Sequence, residues 1–166
     1  MSSRRNFVKK TALTGLGIAL LPNLSFGATR NNSSQKLKLA FIGVGLRGCN
    51  HINNALLRKD VEITAICDVD PDRIKIGLKM ISDKGFTEPK VFGDSDYDYR
   101  NLLALEEVDA VVISTPWLWH TKMAVDAMKA GKYTGLEVSA ANTMEECWDL
   151  VNTHEETKCF WRVGSF

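Results

Sequence analysis

The segment from Leu37 to Asp68 contains the pattern Gly-x-Gly-x-x-Gly, which constrains the fold more than any other feature of this 166-residue chain. The three glycines are Gly43, Gly45 and Gly48. An apolar run precedes them, and a second apolar run, Val61 to Cys67, ends in Asp68. This order predicts a strand, a tight turn, a helix and a second strand, as in a dinucleotide-binding βαβ unit.

Each glycine has a physical reason to occupy its position. Gly43 allows a sharp turn, Gly45 leaves room for a pyrophosphate, and Gly48 allows close packing of the helix on the sheet. The phosphates then face the unpaired N–H groups at the helix start. Asp68 is placed to accept the ribose hydroxyls and to repel a 2′-phosphate, which favours NAD over NADP. The alternative is a glycine turn in another doubly wound protein, with Asp68 as a solvated strand end.

The rest of the chain alternates between strand-like and helix-like patterns. Asp70 and Pro71 suit the start of a helix running to about Lys84, and Thr143 suits the cap of a helix running to about Thr157. A further helix is expected through Leu102, Leu103 and Leu105, and another over Trp117 to Gly131. Further strands are expected at Lys90–Phe92, Asp109–Ser114 and Lys132–Val138. The alternation predicts an α/β fold with a doubly wound parallel sheet.

Three segments are expected to meet at the carboxyl ends of the strands, where such sheets bind ligands. They are Leu46-Arg47, Trp117-Leu118-Trp119-His120 and Glu137-Val138. Each has a purely structural alternative: sheet packing for the tryptophans, a helix-start residue for His120, and solvated charges for Arg47 and Glu137.

Charge and cysteine content exclude several classes of partner. The formal net charge is +1, which does not favour nucleic acid or an anionic membrane surface as a partner. The cysteines show no C-x-x-C pair and no ligand-like spacing with the histidines, so we expect no metal site. They are Cys49, Cys67, Cys147 and Cys159. We interpret each as a small buried residue; Cys49 and Cys67 could approach one another in an oxidising compartment.

Residues 1–28 have the pattern of an export signal. Ser3 to Lys9 resembles a twin-arginine motif, and an apolar stretch from Thr11 to Leu24 follows it. That stretch is shorter than the roughly 20 residues of a spanning helix, so we expect no stable membrane anchor. Residues 29–35 form a polar arm. Because the twin-arginine route carries folded proteins, the signal favours a periplasmic protein that leaves the cytoplasm with NAD already bound.

From Lys36 to Lys158 the chain resembles the superfamily of glucose-fructose oxidoreductase and inositol dehydrogenase (Gfo/Idh/MocA). Its members carry T-P-x-x-x-H after the fourth strand and E-K-P after the fifth. Thr115 to His120, which reads TPWLWH, matches the first motif. At the second motif the chain reads Glu137-Val138-Ser139 and lacks the lysine of the dehydrogenases.

Within that superfamily the chain resembles glycoside hydrolase family 109, the NAD-dependent α-N-acetylgalactosaminidases. The matching segments are Gly43 to Gly48 with Arg47 and His51, TPWLWH, Gly135 to Val138, and Thr143 to Trp148. Ser139 replaces the proline of the family. The resemblance implies that NAD contacts Leu46, Arg47, Asp68, Trp117, Leu118, Trp119, His120, Glu137 and Val138.

The resemblance also implies a redox-assisted hydrolysis of a terminal α-N-acetylgalactosamine. NAD would take a hydride from C3 of the sugar and return it after elimination and water addition, so that no cofactor is consumed. The family's second α/β domain supplies the sugar pocket. Residues 159–166 diverge from the family, so we expect a truncated tail and a chain that lacks glycosidase activity alone. A sugar oxidoreductase and a non-catalytic NAD-binding remnant remain alternatives.

Overall fold

The computed structural model describes residues 36–164, which contain six strands and five helices. The strands are β1 (Leu37–Ile42), β2 (Val61–Cys67), β3 (Lys90–Phe92), β4 (Ala110–Ile113), β5 (Tyr133–Leu136) and β6 (Trp161–Val163). The helices are α1 (Leu46–Leu56), α2 (Pro71–Asp83), α3 (Tyr99–Leu103), α4 (Trp117–Lys129) and α5 (Met144–Thr157). The predicted signal (residues 1–28) and polar arm (29–35) lie outside the described residues.

The strands form one parallel sheet in the order β3-β2-β1-β4-β5-β6. From β1 the chain proceeds to β2 and β3 on one side, and from β4 it proceeds to β5 and β6 on the other side. The connections that leave β1 and β4 therefore run in opposite directions. In open parallel sheets a ligand crevice forms at this point, outside the carboxyl ends of the strands. The predicted α/β fold with a doubly wound parallel sheet is confirmed, and the crevice lies where Gly43 follows β1.

Alternate residues of the strands are buried in two separate apolar layers, because successive side chains point to opposite faces. Phe41 and Val112 pack in one layer with Ile52 of α1 and Ile81 of α2. Their strand neighbours pack in the other layer with α3, α4 and α5. These neighbours are Ala40, Ile42, Val111 and Ile113. Burial on both faces explains the nearly continuous apolar sequence of β1 and β4.

Two of the predicted helix caps are confirmed. The Asp70 carboxylate accepts a hydrogen bond from the Asp72 amide at 2.9 Å, and Pro71 occupies the first turn of α2. At α5 the Thr143 hydroxyl accepts from the Glu146 amide at 3.2 Å, while the Glu146 carboxylate accepts from the Thr143 amide at 3.3 Å. This reciprocal capping box satisfies backbone groups that the helix itself leaves unpaired.

Strand β6 extends the domain beyond the predicted boundary at Lys158. Residues Trp161–Val163 pair in parallel with β5, from Thr134 opposite Trp161 to Leu136 opposite Val163. Trp161 and Val163 also pack against the buried layer formed with α3, α4 and α5. The departure of residues 159–166 from the family sequence predicts a divergent tail. Strand pairing uses backbone groups, so β6 forms despite that departure.

The cysteines in the described part of the chain are free thiols. Burial, together with the nearby Asp98 and Asp68 carboxylates, raises the pKa of Cys67 to about 12. Burial also raises the pKa of Cys49, whose thiol donates to the Val44 carbonyl at 3.3 Å. Both thiols are therefore protonated at neutral pH, which makes them poor nucleophiles.

None of the helices within residues 36–164 is long and apolar enough to cross a membrane. The same residues contain no group of three or more histidine, cysteine or acidic side chains that could hold a metal ion.

The capping box gives a test of how α5 is stabilised. Thr143→Ala is expected to lower the free energy of unfolding by about 1 kcal/mol, because the Glu146 amide loses its acceptor. Urea denaturation followed by circular dichroism measures the change. Thr87→Ala, at an exposed loop threonine, is the matched control and should change stability by less than about 0.5 kcal/mol. Equal effects of the two substitutions would show that the cap contributes nothing.

Candidate dinucleotide site

The turn after β1 is held by backbone contacts that only glycine allows. Gly43 has φ of +90°, and a Cβ there would lie 2.8 Å from the backbone carbonyl of Ser114, at the end of β4. A Cβ at Gly48 would lie 2.0 Å from the Gly43 carbonyl oxygen. Both distances are far below van der Waals contact, so the turn, α1 and the end of β4 are in direct backbone contact.

Gly45 faces open space and forms the start of α1. A Cβ added there would meet nothing within 4 Å, and no side chain caps the helix. The first turn of α1 also contains no acidic residue, unlike the first turns of α2 and α5. The positive end of α1 is thus left to an external anion, which the amides at a helix start bind readily.

Asp68 lies directly beside this turn, as the sequence predicted. Its Oδ2 accepts a hydrogen bond from the Val44 amide at 2.6 Å, and its Oδ1 accepts from the Asp70 amide at 2.9 Å. The side chain is partly exposed, and each ionised oxygen can accept further hydrogen bonds. The carboxylate can therefore hold the turn and still receive ribose hydroxyls.

A cleft opens at the carboxyl ends of β1, β2 and β4. Of the predicted site residues, Gly43, Gly45, Asp68 and Trp119 line it. The site prediction did not include five further hydroxyl or carboxyl residues of the lining, namely Ser95, Asp96, Tyr99, Ser114 and Thr115. The Ser114 hydroxyl oxygen is buried and has no hydrogen-bond partner among the described residues. A bound polar ligand would give this hydroxyl the partner that buried groups normally have.

Aromatic residues form the wall of the cleft that faces α3 and α4. The rings of Tyr97 and Trp119 meet edge to face with their centroids 5.6 Å apart. The Tyr99 hydroxyl donates to Asp126 at 2.6 Å. Burial and this hydrogen bond raise the pKa of Tyr99 to about 12, so the phenol is neutral at physiological pH. Tyr99 and Trp119 line the cleft, and Tyr97 contacts Trp119 from outside the lining.

His120 is buried and joins two loops of the site. Its Nδ1 lies 2.6 Å from the Ser139 carbonyl oxygen, and its Nε2 lies 2.7 Å from the Thr115 carbonyl oxygen. The side chain is 1% exposed and presents almost no surface to a ligand. The role that the structure supports for His120 is to fix the loop after β5 against the loop after β4.

Four of the predicted residues are exposed at the same edge of the sheet. They are Leu46, Trp117, Leu118 and Val138. None of them lines the cleft beside Asp68. Their side chains are available to a ligand or partner that covers this edge.

Arg47 and Glu137 are brought together across the crevice. Glu137 Oε1 accepts hydrogen bonds from Arg47 Nε at 3.2 Å and from Arg47 Nη2 at 2.8 Å. The same oxygen lies 2.7 Å from His51 Nε2. The site prediction did not include His51, although Arg47 and His51 stand four residues apart on α1 and so share a helix face.

Burial and charge act in opposite directions on Glu137. Burial alone would raise the pKa of this carboxyl, but the hydrogen bonds and positive charges of Arg47 and His51 outweigh it. The net pKa of Glu137 lies below its ordinary value, so the carboxylate is ionised at neutral pH. Its negative charge is balanced locally, which suits a site that receives a dianionic diphosphate.

Together the fold, the glycine turn and Asp68 define a Rossmann dinucleotide-binding domain. Residues 37–165 match the model of an oxidoreductase family with an NAD-binding Rossmann fold. The chain belongs to this Gfo/Idh/MocA family, as the sequence resemblance implied.

The comparison with curated proteins supports the narrower resemblance. The chain is 43% identical over 169 residues to a glycosyl hydrolase family 109 protein of Parabacteroides distasonis. It is 42% identical over 172 residues to an alpha-N-acetylgalactosaminidase of Tannerella forsythia. Each match covers 94% of this chain but only 36% and 37%, respectively, of the relative.

Solved structures share the fold. An NAD-binding protein from Listeria innocua superposes with a TM-score of 0.63 and is 26% identical, over 78% of this chain and 35% of that one. A scyllo-inositol dehydrogenase from Lactobacillus casei, solved with NAD(H) and scyllo-inositol, has a TM-score of 0.67 at 20% identity. That match covers 78% of this chain and 36% of the dehydrogenase.

The residues of the cleft fit NAD. The open space at Gly45 admits a diphosphate, Ser114 presents a buried hydroxyl without a partner, and Asp68 presents an acceptor for ribose. The NAD cofactor predicted from the sequence agrees with the family, whereas the individual contacts remain predictions.

The two helix-start glycines should respond differently to an added methyl group. Gly45→Ala is expected to leave stability within about 1 kcal/mol of wild type, because the space is open. The methyl should weaken NAD binding about tenfold by occupying the phosphate position. Gly48→Ala should lose about 3 kcal/mol of stability through the Gly43 clash. Calorimetric titration and urea unfolding measure the two effects; an unstable Gly45→Ala protein would contradict this assignment.

Proposed function

We propose that this chain is the NAD-binding part of a redox-assisted glycosidase that hydrolyses terminal α-N-acetylgalactosamine. The observation that carries the proposal is the 43% and 42% identity to relatives with family 109 names, across 94% of the chain. The open helix start beside Asp68 supports the cofactor half of the proposal. The chain spans little more than a third of those relatives, so the sugar-binding half is inferred from them.

The described residues have binding and positioning roles in this proposal. The α1 amides receive the diphosphate, Asp68 receives the adenosine ribose, and the aromatic wall with Trp119 receives the adenine. Bound NAD would supply reversible hydride transfer, so that net hydrolysis consumes no cofactor. Arg47 and Glu137 lie on the other side of the crevice, toward β5, and Arg47 is next to the α1 start that would receive the diphosphate.

We also propose that the protein is exported in the folded state. The twin-arginine pattern in Ser3 to Lys9 supports this location. Since a periplasmic enzyme has no free NAD pool, a cofactor regenerated within each cycle suits such a location.

A sugar oxidoreductase is the second candidate, because this family model is named for oxidoreductases. Such an enzyme would reduce NAD in the presence of a free sugar. The sequence Glu137-Val138-Ser139 lacks the lysine of the superfamily's dehydrogenases, which favours the glycosidase. The absence of NADH formation with free N-acetylgalactosamine in a family-length protein would separate the two.

The charge of Asp68 should select NAD over NADP. The purified chain is expected to bind NAD at least about tenfold more tightly than NADP, because the carboxylate repels a 2′-phosphate. Asp68→Asn keeps an acceptor for the Val44 amide and removes the charge, but it replaces the acceptor of the Asp70 amide with an NH₂ group. The preference should therefore shrink, and stability should fall by about 1 kcal/mol. Calorimetric titration with both cofactors measures the ratio. A wild-type chain that binds neither cofactor would refute the proposed function.

Glycosidase activity is expected to need more than these 166 residues. The chain alone should bind NAD but release no nitrophenol from p-nitrophenyl α-N-acetylgalactosaminide, because the relatives that it matches are far longer. The control is the same assay with the Tannerella forsythia relative. Release of nitrophenol by the chain alone, above a Gly48→Ala control, would contradict this expectation.

A further inference from the structure

We propose that His51 is a positioning residue for dinucleotide binding: acting through Glu137, it holds the Arg47 guanidinium at the site of the diphosphate. The inference deepens the proposed NAD-binding function and rests on it. It starts from an observation outside the glycine turn: the side chains of Arg47 and His51 share one oxygen of the Glu137 carboxylate.

The exposed fraction of the side chain increases from His51 to Glu137 to Arg47. The side chain of His51 is 3% exposed, that of Glu137 is 8% exposed, and that of Arg47 is 49% exposed. His51 lies on the second turn of α1, and its burial restricts the positions that its Nε2 can take. The buried histidine can therefore hold the carboxylate, and the carboxylate in turn holds the half-exposed guanidinium.

Arg47 stands where a cation is unfavourable unless an anion joins it. It is the second residue of α1, and a positive side chain opposes the positive end of the helix dipole. Glu137 compensates the charge of the Arg47 guanidinium. The partial positive charge of the α1 amides at the same edge of the sheet is not compensated by an acidic residue of the first turn. A diphosphate would supply the negative charge that the first turn of α1 lacks, and guanidinium groups bind phosphates in a fixed geometry.

Positioning matters because an arginine side chain is otherwise flexible. Ordering it on binding costs rotamer entropy. Two N–H groups of Arg47 already bind Glu137 Oε1, so much of that ordering precedes the ligand. Without His51 the carboxylate keeps only its contacts from Arg47, and the pair can turn away from the crevice.

The experiment compares two substitutions of His51 that differ in reach. Gln places an amide nitrogen near the position of Nε2, whereas the Asn side chain is too short to reach Glu137. His51→Asn should weaken binding of NAD and ADP-ribose about tenfold, leave AMP binding unchanged, and be rescued in His51→Gln. Calorimetric titration gives the affinities, and thermal unfolding reports whether each variant folds as wild type.

A double-mutant cycle separates positioning from a general structural role. Arg47→Met should weaken NAD binding about tenfold, and His51→Asn should then add no further loss. Arg58→Met is the matched control, because it removes an exposed arginine–carboxylate contact (Arg58–Asp60) away from the turn. Equal losses from His51→Asn with and without Arg47, or no loss in either background, would overturn the inference.

If a variant binds too weakly for calorimetry, the position of Arg47 can still be tested without ligand by proton exchange. The Arg47 Nε–H resonance, assigned by its loss in Arg47→Met, should exchange slowly with solvent in wild type and in His51→Gln but rapidly in His51→Asn. Unchanged exchange in His51→Asn would overturn the positioning role. A wild-type chain with this slow exchange but no affinity for NAD or ADP-ribose would instead refute the proposed function and the ligand assigned to Arg47.

Discussion

The contact between three backbone segments at the end of β1 is the constraint on which the site depends. Gly43 lies against the Ser114 backbone, and Gly48 lies against the Gly43 carbonyl. This contact brings the start of α1 to the point where the sheet order reverses, between β1 and β4. A Cβ at Gly43 or Gly48 would clash with the backbone and displace α1. The amides at the start of α1 would then move away from Asp68. The geometry of the diphosphate site is thus a consequence of backbone packing.

Carboxylates lie on both sides of the crevice, and the start of α1 has no acidic side chain of its own, so an anion can bind there. On one side, Asp68 uses its two oxygens to hold the backbone of the turn and of the loop before α2. On the other side, Glu137 is shared by Arg47 and His51. The uncapped amides of α1 lie between these groups and keep their partial positive charge. The positive helix start therefore lies between two carboxylates. In a dinucleotide, the negative diphosphate likewise lies between two ribosides.

Sequence reasoning succeeded where the physical signal was local. The glycine spacing, the Asp70 cap and the Thr143 box each act within a few residues, and the structure has them where the patterns predicted. The buried strands were readable because both faces of a parallel sheet are apolar. The bounds of β5 are shorter than predicted, with Tyr133–Leu136 observed in place of Lys132–Val138, because strand pairing and not hydropathy ends the strand.

Contacts between distant segments could not be read from the chain. The bonds of His120 to two loop carbonyls, of Glu137 to α1, and of β6 to β5 depend on tertiary placement. The orphaned hydroxyl of Ser114 is visible only when its surroundings are known. His51 had a partial signal, since it follows Arg47 by one helical turn, but its partner lies 86 residues away in sequence.

The bond between Asp68 and the Val44 amide has a consequence for coenzyme engineering. A residue chosen only to bind a phosphorylated ribose, such as arginine, would remove the carboxylate oxygen that accepts from the Val44 amide and holds the glycine turn. Such a redesign would therefore need a second acceptor near Val44, supplied from a neighbouring strand end or from an ordered water. In this scaffold, the choice of coenzyme and the shape of the loop that receives it cannot be altered separately.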